Sequence, residues 1–124
     1  MARAAVTTLK PRRRARRRPR TQIEPLLPRI RKILGDLYGD RLVSVILYGS
    51  FARDKATEDS DIDIAVVLKG KVDWFKENRR INDALYELEL EAEELISVFP
   101  VTPQKLSRSD WPLYCHVRKE GIKI

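Results

Sequence analysis

The 124 residues carry 25 Lys and Arg against 18 Asp and Glu, a formal net charge of +7, with one cysteine and one histidine. A chain of this length builds one domain and leaves no room for a second core. Cys115 has no partner for an internal disulfide, and Cys115 with His116 falls short of a zinc ligand set. No stretch reaches the roughly 18 apolar residues of a membrane span and no apolar leader opens the chain, so the expectation is a cytoplasmic protein without membrane contact.

The charge is unevenly placed. Residues 1–20, "MARAAVTTLKPRRRARRRPR", hold nine of the basic residues and no acid, which leaves residues 21–124 with 16 basic against 18 acidic residues, a net −2. Two prolines, a dense like-charge run and no apolar period predict a disordered basic tail over 1–20. Such a run could hold RNA or DNA weakly through phosphates, or could be a solvated extension.

From Thr21 the apolar residues Ile23, Leu26, Leu27, Ile30, Ile33, Leu34 and Leu37 follow a 3.6 period and predict a helix with Pro25 in its first turn. Gly39-Asp40 interrupts it. "RLVSVILYG" then predicts a strand ending at Gly49, followed by a short helical turn from Ser50 and the polar loop "KATEDS". A second strand is expected at Ile62 to Leu68, a long helix from about Asp73 to about Leu90, a third strand at "LISVFPV" and a last helix from Asp110 to Lys119. Trp74 and Trp111, near helix starts, are expected in the core or at an interface. The element order predicts an α/β (α+β) domain, a small mixed sheet with helices packed on it.

Two acids inside the second apolar strand need an explanation. Residues i and i+2 of a strand share a face, so Asp61 and Asp63 project together, roughly 7 Å apart at Cα, while Ile62 and Ile64 enter the core opposite. Carboxylates that close repel unless one is protonated or a cation lies between them. An oxygen-only pair suits Mg2+, which keeps waters and recruits substrate phosphates. The companion feature is Gly49-Ser50, where a strand ends and a helical turn begins. Glycine lets a phosphate approach the backbone, and the serine offers a hydroxyl and a free N–H to it. Ten residues separate Ser50 from Asp61, enough for one turn and a return loop. Phosphate and metal can therefore meet on adjacent strand ends. Taken singly, each feature is also an ordinary helix cap or a pair of solvated acids; together, four such positions match by chance on the order of once in a thousand chains of this length.

"GSFARDKATEDSDID" resembles the G-S-x10-D-x-D signature of the DNA polymerase β-like nucleotidyltransferase superfamily, and the span from Thr21 to Ile124 is similar to its minimal nucleotidyltransferase branch. The resemblance implies a nucleotidyltransferase domain over 21–124 in which Gly49 and Ser50 bind the triphosphate of ATP or another NTP and Asp61 and Asp63 are catalytic ligands of Mg2+. Arg53 falls where many relatives carry a basic residue and could steady a phosphate or the loop, or form a surface ion pair. Asp54 stands where relatives often have glycine. Catalysis in that superfamily uses a third carboxylate on a neighbouring strand. Here that strand is "LISVFPV", with Ser97 at the expected place; Glu93 or Glu94 could substitute, or belong to the solvated run "ELELEAEE". Short members of the branch imply an antitoxin of a toxin–antitoxin system that adenylylates a tyrosine of a HEPN-domain protein partner. The alternative is a catalytically weak or inactive domain that neutralises a partner by binding alone.

Overall fold

The computed structural model describes residues 16–124. The nucleic-acid contact expected of the basic tail rests mostly on residues outside that range. Helix α1 spans Leu26–Tyr38 and strand β1 Leu42–Tyr48; the one-turn helix α2 is Gly49–Ala52 and strand β2 Ile62–Leu68. The long helix α3 covers Trp74–Ala92, strand β3 Ile96–Val101, helix α4 Pro103–Arg108, helix α5 Pro112–Glu120 and strand β4 Ile122–Lys123. The four strands form one mixed sheet in the order β3-β2-β1-β4, with β2 parallel to β3 and β1 antiparallel to both β2 and β4. This is the mixed α/β architecture the element order predicts.

Strand alternation sorts the core. Ile62, Ile64, Val66 and Leu68 of β2 turn to one face and pack with Ile30 and Leu34 of α1 and Ile81, Leu85 and Leu88 of α3. Ala65 and Val67 turn to the other face, against Phe99, Val101 and, from α5, Tyr114 and Val117. Both faces of β2 are covered, which is why it reads as a continuous apolar run. Asp63 belongs to the second face, at the end where that cover stops.

Several boundaries differ from expectation for local reasons. α1 starts at Leu26 rather than Thr21, after a 3-10 turn at Arg20–Gln22, because Pro25 has no N–H and disfavours a helical residue before it. α4 is an element the periodicity did not predict. Its start signal is present, since Thr102 accepts a hydrogen bond from the Lys105 N–H at 3.2 Å and Pro103 occupies the first turn. β4 is two residues long and forms where Gly121 permits close approach; a Cβ there would lie 2.5 Å from Ile46 Cγ2. Trp74 and Trp111 are 48% and 69% exposed, so neither belongs to the core; exposed Trp111 stacks on Tyr114. Residues 16–20, read from the sequence as the end of a disordered tail, pack on the loop after α2: Arg17 bridges Thr57 and the Arg18 N–H donates to the Ala56 carbonyl at 2.9 Å. No helix among the described residues is long and apolar enough to cross a membrane.

Candidate active site

β1 delivers Gly49 and Ser50, and β2 delivers Asp63. The antiparallel register pairs Tyr48 with Asp63, so the turn that follows β1 lies against the acidic end of β2. Gly49 adopts φ +76°, a left-handed conformation that side chains other than glycine rarely accept. Its missing side chain is also a matter of space. A Cβ on Gly49 would lie 2.9 Å from Asp63 Cγ and would overlap Oδ2 outright. The turn and the carboxylate are thus in van der Waals contact, which spacing alone only allowed.

Asp61 is exposed and Asp63 half-buried. Burial, and then the charge of Asp61, push the Asp63 carboxyl up to about 6, while nearby Arg53 pulls it down. Burial also raises the pKa of the Tyr48 hydroxyl, with the Asp63 charge adding to the effect. The Arg53 guanidinium donates to Glu120 Oε1 of α5 at 2.8 Å, so in this structure it makes the ion pair rather than an open phosphate contact. Asp54 takes φ +60°, a region that aspartate tolerates better than most side chains.

On the other side of Asp63 lies β3, and the parallel register pairs Asp63 with Ser97. Ser97, the position at which the resemblance implies a third carboxylate, is thus beside Asp63, and it is exposed. Neither glutamate gathers with Asp61 and Asp63 in this structure. Glu93 is the left-handed C-cap of α3, at φ +56°. Glu94 is taken by Arg18, whose Nη1 donates to Oε1 at 3.1 Å and whose Nη2 pairs with Oε2. Among the described residues no three His, Cys, Asp or Glu side chains gather closely enough to hold a metal ion. What remains is a two-carboxylate donor set that leaves most of a coordination sphere to water and ligand, a set that suits Mg2+ with a polyphosphate better than an all-protein cage. Sequence reasoning missed Arg18, because nothing local distinguishes it within a run of arginines.

The Gly-Ser turn at the end of β1 thus lies against the Asp63 carboxylate, on a mixed sheet with helices on both faces. The chain belongs to the nucleotidyltransferase domain family, which matches residues 27–120. Relatives in Methanocaldococcus jannaschii are named, by inference, protein adenylyltransferases. MJ1305 is 38% identical over 92 residues, spanning 70% of this chain and 60% of its own length. MJ0141 is 30% identical over 103 residues, spanning 83% of this chain and 99% of its own. Among solved structures, a toxin–antitoxin complex with AMP-PNP superposes with a TM-score of 0.59 at 22% identity, covering 77% of this chain and 69% of that one. A mutant of the toxin–antitoxin pair MntA-HpeT gives 0.57 at 23% identity, covering 78% and 69%. At those identities the likeness establishes a shared fold.

Proposed function

We propose that this chain is a Mg2+-dependent adenylyltransferase that moves AMP from ATP onto a hydroxyl of a protein partner, a tyrosine of a HEPN-domain toxin, and so acts as an antitoxin. The observation that carries the reading is the contact between Gly49 and the Asp63 carboxylate: a phosphate seated on the turn would lie beside the acidic pair. The names of the relatives and the AMP-PNP of one structural neighbour support the choice of ATP and of a protein acceptor.

In this reading Gly49 keeps the approach to the turn open and the Ser50 hydroxyl donates to a phosphate oxygen. Asp61 and Asp63 would hold Mg2+, which when bound would neutralise triphosphate charge. Asp63 must be ionised for this, so its raised pKa ties metal binding to pH. The acceptor hydroxyl gives its proton to water, the bond from its oxygen to the α-phosphorus forms, the bond from that phosphorus to the bridging oxygen of the β-phosphate breaks, and pyrophosphate leaves. With Ser97 where a third carboxylate would take the acceptor proton, the chain's own residues orient and bind more than they activate.

The same Ser97 favours a second reading, a domain that neutralises its partner by binding alone. Incubating the chain with ATP, Mg2+ and a HEPN-domain partner encoded beside it separates the two. Transfer adds one AMP to a partner tyrosine, detected by intact-mass and peptide mass spectrometry, and Asp61→Asn stops it. Neutralisation by Asp61→Asn equal to wild type, with no mass change in either case, overturns transfer in favour of binding.

A further inference from the structure

The loop between the Gly-Ser turn and the acidic strand is closed from outside by five residues. The Arg18 N–H donates to the Ala56 carbonyl at 2.9 Å, the Glu58 N–H to the Arg16 carbonyl at 3.1 Å, and Arg20 Nη1 to the Ala52 carbonyl at 3.0 Å. The side chain at the centre of this strap reaches further. The Arg18 guanidinium lies over the Phe51 ring, 5.2 Å from its centroid, and grips both oxygens of Glu94. Phe51 is buried and directly follows Ser50 in the chain. Glu94 immediately precedes Leu95, whose carbonyl accepts from the N–H of Ile62, the residue between Asp61 and Asp63. One guanidinium thus touches the segment that carries the turn and the segment that holds the start of the acidic strand. Both partners are well covered, with 18% and 15% of their side chains exposed.

We propose that Arg18 is a positioning residue that sets the Gly49-Ser50 turn against the Asp61/Asp63 pair, acting through Phe51 and Glu94. The inference rests on the nucleotidyl-transfer reading of that turn. A planar fork is required, because it meets two carboxylate oxygens while its face lies on the ring; a lysine ammonium makes a single point contact and cannot do both. The strap is therefore part of the site's frame rather than a solvated leader.

Amide hydrogen exchange and Mg2+·ATP titration on the full chain and on Arg18→Ala and Arg18→Lys test the proposal. Losing a covered, charge-assisted pair should speed exchange over residues 50–58 by about tenfold with β1 and β2 protection unchanged, and weaken Mg2+·ATP by about tenfold. Arg18→Lys should recover little of either. Unchanged exchange over 50–58, faster exchange throughout the molecule, or full recovery by lysine each overturns it. A wild-type chain that does not bind Mg2+·ATP would defeat the nucleotidyl-transfer reading instead, and the exchange measurement would still decide whether Arg18 holds the turn.

Discussion

Asp63 has two neighbours across the sheet, and they are built to different tolerances. On the β1 side Gly49 is moulded to the carboxylate so closely that one methyl group would collide with it. On the β3 side Ser97 stands in register, exposed, with a short neutral hydroxyl where the superfamily pattern asks for an acid. The first side is specified by excluded volume and backbone conformation, the second only by chemistry. In the proposed reading, the half that would bind phosphate and cation is the closely packed one, and the half that would activate an acceptor is the open one.

The sharpest way to break the comparison is Gly49→Ala. The added Cβ collides with Asp63 and the φ of +76° is strained for alanine, so Mg2+·ATP affinity should fall by about a hundredfold or more, read by calorimetric titration. Retained affinity would show that the tight contact is irrelevant to binding. From the other side, Ser97→Asp places a third carboxylate beside Asp63. With saturating Mg2+ it should raise AMP transfer by about tenfold, and without metal it should lower the melting temperature through like-charge repulsion. A rate that does not move would mean that the open side is not what limits turnover.

A smaller effect isolates the electrostatic cost of the moulded half. Asp63 has a pKa of about 6, above its ordinary 3.8, so its folded form binds a proton more readily than the unfolded chain does. The stabilisation from that proton is full below about pH 4 and is lost as pH rises through 6. Asp63→Asn should therefore melt higher than wild type by about 4 °C at pH 7.5 in the absence of metal, allowing for solvent screening, with the gap closing towards pH 4. A gap that widens on acidification would contradict the assignment. The smallest change is Arg53→Ala. It removes a half-exposed pair with Glu120 worth about 0.2–1 kcal/mol, and it takes away the cation that holds Asp63 down. An NMR titration should show the Asp63 midpoint move above 6; a midpoint that falls would rule out Arg53 as its neighbour.

Much of this was legible in the chain because the signals are local. The Ile62–Leu68 strand coincides with the expected one, and side-chain alternation places Asp63 opposite the buried Ile62 and Ile64. Gly49-Ser50 at a strand end is turn chemistry readable within four residues, and the lack of an acid in the third strand is visible by inspection. α4 also carries a local signal, Thr102-Pro103, which apolar periodicity does not register.

Tertiary structure alone decided the rest. The fit between Gly49 and Asp63 depends on the β1–β2 register, and the pairing of β4 with β1 follows a close approach of Gly121 to Ile46. Arg18 and Glu94 lie 76 positions apart, in a basic run and an acidic run that each look solvated. Periodicity and turn chemistry act over neighbours in sequence, so they are written in the residues themselves. Which arginine of many leaves water for one glutamate of many depends on where folding brings two distant segments together, and no local pattern encodes that.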